Sequence, residues 1–86
     1  MDSKRFVRKA KQTVVDYYNK LETSDKAKIT EEDVYVVWLA KALQNNKALL
    51  STTIADGMYF ELTYNGDKNE MYVDAYKKCE NIVIKF

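Results

Sequence analysis

Residues 34–44 read VYVVWLAKALQ, and whether they form a helix or a strand decides the fold. Thr30 and Asp33, just upstream, have the spacing of a capping box, which would open a helix at this point. The composition argues the other way. Val-Tyr-Val-Val-Trp is β-branched and aromatic throughout, and such side chains fit a pleated surface. As a helix the run would be apolar on every side, and a chain of 86 residues has little core in which to bury it. We therefore read a strand. Its alternation puts Tyr35, Val37, Leu39, Lys41 and Leu43 on one face and Val34, Val36, Trp38, Ala40 and Ala42 on the other.

Downstream, QNNK (44–47) predicts a tight turn, because Asn tolerates positive φ, and KALLSTT (47–53) the return strand. IADG (54–57) predicts the next turn. In GMYFELTYNGDKNE (57–70) two alternating runs meet at Asn65-Gly66, the signature of a hairpin. Met58, Phe60, Leu62 and Tyr64 match Met71, Val73 and Ala75 on one face. Tyr59, Glu61 and Thr63 match Glu70, Tyr72, Asp74 and Tyr76 on the other. KKCEN (77–81) breaks the pattern, and IVIKF (82–86) predicts a short final edge strand.

Upstream, residues 4–21 predict an amphipathic helix with Asp2 or Ser3 as its cap. Phe6, Val7, Ala10, Val14, Tyr17, Tyr18 and Leu21 share one side of it, and Arg5, Arg8, Lys9, Gln12, Asp16 and Lys20 the other. ETSDKAKITEED (22–33) reads as a loop. The expected architecture is α+β in a single domain, 1–86: one N-terminal helix packed on a four- to five-stranded antiparallel meander sheet.

Composition sets limits on chemistry. Apolar residues are 47% and charged residues 31%, as in an ordinary globular domain, with no low-complexity tract and no proline. No N-terminal signal and no membrane-length apolar run is visible, so the expectation is a cytoplasmic protein. The single cysteine, Cys79, reads as a small buried hydrophobe in a reducing compartment. There is no histidine, which removes Ser-His and Cys-His dyads and the commonest metal ligand. Gly57 and Gly66 are isolated turn residues and not a phosphate loop, and the acids lack calcium-loop spacing. We expect no catalytic residues, no metal and no cofactor, and hence no enzyme.

Two features remain as candidate surfaces. The first eleven residues carry Lys4, Arg5, Arg8, Lys9 and Lys11 against Asp2, a local +4 in a chain of net +1, so the other residues sum to −3. Cations at a helix N-terminus oppose its dipole, which points to contact with a polyanion or simply to a solvated end. The second feature is the set Tyr59, Tyr72 and Tyr76 with Glu61 and Asp74, which suits a protein interface. Stacked bases are the other use of such tyrosines, but the acids would repel phosphate. Cross-strand pairs that only stabilise the sheet are the bland alternative.

The stretches VVWLAKALQNNKALLSTT, DGMYFELTYNGDK and YVDAYKKCEN resemble a family of short proteins from phages and prophages of Gram-positive bacteria, a domain of unknown function. The resemblance spans about residues 4–83 and carries no site residues with it. It implies an accessory product inside a host cell. The expected function is non-catalytic binding to a host or phage protein, such as a defence component. A nucleic-acid binder using the basic helix is the alternative, with weak binding expected, and a self-associating module or homodimer is a third. No membrane partner is expected.

Overall fold

The computed structural model describes residues 1–20 and 29–86. A helix, α1 (Ser3–Lys20), is followed by one 3-10 turn (Glu31–Asp33) and four strands: β1 (Val34–Ala42), β2 (Asn45–Thr52), β3 (Met58–Asn65) and β4 (Glu70–Lys77). The strands form one antiparallel sheet in the order β1-β2-β3-β4, so the chain is an α+β meander with four strands. Leu21 and most of the loop expected at 22–33 lie outside the described residues.

Asp2 is the cap of α1. Its Oδ1 accepts the Arg5 N–H at 2.8 Å, and its carbonyl accepts the Phe6 N–H at 3.0 Å. The carboxyl is held below its usual pKa, first by the Arg5 backbone bond. Phe6, Ala10 and Val14 are buried along the expected stripe, Val15 is buried as well, and Val7 and Tyr18 are half-buried. The cap signal at Thr30 is used, but for a single turn. Asp33 accepts the Thr30 N–H at 2.9 Å and donates its own N–H to the Thr30 carbonyl, and the β-branched run from Val34 then takes over. Asp33 also accepts from the backbone N–H and the hydroxyl of Thr53, which fixes the entry to β1 against the end of β2.

The inner face of the sheet buries Val34, Ala48, Leu50, Phe60 and Leu62 under α1. The helix packs mainly over β1, β2 and β3, so β4 lies beside its footprint and Val73 remains 41% exposed. At the far end of α1 the Tyr17 and Tyr18 rings meet Phe60 edge-on at 5.0 and 5.7 Å.

Four expectations are corrected. First, β1 does not alternate evenly. Val36 pairs with Leu50, Trp38 with Leu49, and Val37 is the extra residue of a bulge. Beyond it the faces exchange, so Leu39 and Lys41 share the side of Val34 and Val36, while Trp38 and Ala40 join Tyr35. Second, the β1–β2 turn is Leu43-Gln44 and not 44–47. Leu43 takes φ 55 and is 94% exposed. Asn45 has another use: its Oδ1 accepts the Gly66 N–H at 3.2 Å, joining the two loops at this end of the sheet. Third, IVIKF has no regular structure and forms no fifth strand. Fourth, Cys79 is exposed, because it follows β4 where no layer packs on the chain among the described residues.

Candidate functional site

With α1 on the inner side, nothing among the described residues forms a second layer on the outer side. The register assembles that outer face in rows. Tyr35, Ser51, Tyr59 and Tyr76 lie side by side across the four strands. Trp38, Leu49, Glu61 and Asp74 form the next row, and Ala40, Lys47, Thr63 and Tyr72 the third. The five residues expected there from the sequence, Tyr59, Tyr72, Tyr76, Glu61 and Asp74, therefore share one surface. Tyr35, Trp38 and Leu49 extend it across β1 and β2. Sequence reasoning missed Trp38 because strict alternation placed it beside Val34, and only the bulge at Val37 turns it over.

Polar contacts order the middle of this face. Glu61 meets Lys47 at 3.5 Å, the one ion pair among the described residues, and its Oε1 lies 3.5 Å from the Tyr76 hydroxyl. The Tyr72 hydroxyl donates to Glu70 Oε2 at 2.6 Å. Both phenols are raised above the usual tyrosine pKa, Tyr76 chiefly by the Glu61 charge and Tyr72 chiefly by its bond to Glu70. Both therefore remain neutral donors at physiological pH. The face carries three carboxylates, Glu61, Glu70 and Asp74, against Lys47, so it is acidic as well as aromatic.

The basic residues are arranged differently. Lys4, Arg8 and Lys11 follow helical spacing along one side of α1 and line a groove with Val7 and with Glu31 and Glu32 of the 3-10 turn. Arg5 lines a second groove with Asp2, Ser3, Lys4 and Arg8. Lys9 is exposed and lines neither. The five cations thus wrap the helix, and acids stand beside all of them but Lys9.

A third cluster joins α1 to the β2–β3 turn. Tyr18 donates to Asp56 Oδ2 at 2.5 Å, and Asp56 Oδ1 accepts the Met58 N–H at 3.1 Å. Burial first, and then the bond to Asp56, push the Tyr18 hydroxyl up to about 12. It stays protonated at neutral pH and acts as a tether. Asn46 is fully buried on the inner face opposite Lys41 and Tyr64, and its side-chain amide meets no partner among the described residues. No group of three or more acidic or cysteine side chains suited to a metal occurs among the described residues. No helix among them is long and apolar enough to cross a membrane.

No curated protein and no solved structure matches the chain. A family model does, over residues 7–86. That span takes in α1 from its second turn, every strand and the C-terminal segment, and so the chain belongs to the family of unknown function DUF6275.

Proposed function

We propose that this protein is a non-catalytic binding module that grips a protein partner with the open outer face of its sheet. The observation that carries this reading is the assembly of Tyr35, Trp38, Tyr59, Tyr72 and Tyr76 on one surface that no described element covers. Aromatic side chains on a rigid sheet offer large contact area at low entropy cost, which is the composition of binding hot spots. Glu61, Glu70 and Asp74 favour a partner that presents arginine or lysine among apolar groups, and Trp38 and the tyrosines add cation–π contacts. The same acids disfavour a phosphate backbone. The resemblance to phage and prophage proteins supports a host or phage protein as the partner, including a component of a defence system.

The test is capture from host lysate with and without nuclease. A partner that survives nuclease should be lost with the pair Tyr59→Ala and Tyr76→Ala and kept when Arg8 and Lys9 are changed to Glu. Loss of the partner on nuclease treatment, or indifference to the tyrosine pair, would reject this reading.

A further inference from the structure

We infer that two copies of this chain pair edge to edge through β4, each C-terminal segment lying as a strand along the β4 of the other copy. Three observations lead there. β4 ends the strand order, so its outer edge carries backbone donors and acceptors that no described element takes up. Residues 82–86 are apolar and β-prone, yet Ile82, Val83, Ile84 and Phe86 are each at least 67% exposed. The ladder also continues past β4, since the Lys78 N–H donates to the Gly57 carbonyl at 2.7 Å. The chain therefore leaves the sheet along the line of β4, with an unmatched apolar strand attached to an unmatched edge.

Symmetry and charge select the register. A two-fold axis through antiparallel strands pairs residues of the same face, and the residue on the axis pairs with itself. An axis at Lys77, Lys78 or Glu80 would set like charges against each other. An axis at Cys79 sets Lys78 opposite Glu80 twice. It also places Ile82 beside Tyr76 and Phe86 beside Tyr72 on the outer face, and Val83 beside Ala75 on the inner face. These are β-branched and aromatic pairings of the kind that stabilise sheets. A return onto the chain's own β4 would have to reverse within Cys79-Glu80-Asn81, which lacks the glycine such tight turns favour. In the dimer the two outer faces lie on the same side of one eight-stranded sheet. The pairing borders the proposed interface at Tyr72 and Tyr76 but is tested apart from it, because the changes at residues 77, 79, 81, 82 and 84 leave Tyr35, Trp38, Tyr59, Tyr72 and Tyr76 in place.

The axis at Cys79 makes the proposal specific. Directly opposed residues of an antiparallel pair have Cα atoms about 4.5–5.5 Å apart, within disulfide range. The full chain in sedimentation equilibrium should show twice its 10.1 kDa mass, and mild oxidation should convert that dimer to a Cys79–Cys79 disulfide. With Cys79→Ser, adding Lys77→Cys alone should give no cross-link. Adding Lys77→Cys and Asn81→Cys together should restore it, because 77 faces 81 across the axis. Ile82→Pro with Ile84→Pro should leave a folded monomer, since the tail takes no part in the core. A full chain that stays monomeric at about 100 μM would overturn the proposal. So would a dimer that survives the proline pair, or Lys77→Cys cross-linking as readily alone as with Asn81→Cys.

Discussion

Gly66 and Gly57 are both turn glycines, and the structure needs them for different reasons. Gly57 sits at φ +73, and a Cβ there would meet Lys78 at an ordinary contact distance of 3.7 Å, so Gly57→Ala carries only the backbone penalty of about 1–2 kcal/mol. Gly66 has no such φ, but a Cβ there would overlap the Gln44 carbonyl oxygen of the opposite loop. Gly66→Ala should therefore cost about 3 kcal/mol, the upper end of an overpacking penalty, and urea denaturation should rank it below Gly57→Ala in stability. Asn65-Gly66 was legible as a hairpin, but not the reason for its glycine. The chain there uses a four-residue loop in which Asn65 Oδ1 accepts from Asp67 and Lys68, and the contact with Gln44 is long-range. Tyr18 gives a second test at this scale. Its folded pKa lies above the unfolded value near 10, so its neutral form is favoured by folding. That stability is complete below about pH 10 and is lost as pH rises through about 12. Tyr18→Phe should be less stable than the parent at pH 7 by about 1–2 kcal/mol, and thermal melts should show the gap narrowing between pH 10 and 12.

Among the elements, β3, β4 and most of α1 could be read from the sequence, because their apolar residues keep period 2 or 3.6, whereas β2 could be read only from Lys47 on, since Asn45 and Asn46 carry a turn's composition. β1 could be read as a strand but not as a surface. Its residues are apolar on both sides, so nothing local marks Val37 as the extra one, and Trp38 and Leu39 exchange faces unseen. The final IVIKF carries a strand's composition without a partner within the described chain, and composition cannot report a missing neighbour. Deleting Val37 tests the bulge. An evenly alternating β1 would lose its register beyond the deletion, whereas here Val36 opposite Leu50 simply continues to Trp38 opposite Leu49. The deletion should thus cost far less than Phe60→Ala, for which the loss of a buried ring predicts about 3–5 kcal/mol. Acrylamide should quench the Trp38 fluorescence of the deletion variant as readily as that of the parent.

At the scale of the whole molecule, charge is divided between two places, a basic helix end and an acidic sheet face. The near-neutral total hides both. Because Glu31 and Glu32 stand beside Lys4, Arg8 and Lys11, duplex DNA should bind no more tightly than about 10⁻⁶ M at physiological salt, the non-specific range, in a fluorescence anisotropy titration. The molecule is also thin, 19 Å along its shortest axis, one helix on one sheet. Since α1 covers β1, β2 and β3 and leaves β4 at its side, the hold on the strands is uneven. In the monomer left by Ile82→Pro with Ile84→Pro, backbone amides of β2 and β3 should exchange with solvent only when the whole fold opens, while those of β4 exchange through a cheaper, local peeling of the edge. Yet β4 carries Tyr72, Asp74 and Tyr76. A ligand seated on the outer face must then find β4 in place, and in holding it there suppresses the peeling, so occupancy would be recorded as slowed exchange in one strand while the rest of the protein keeps its rates.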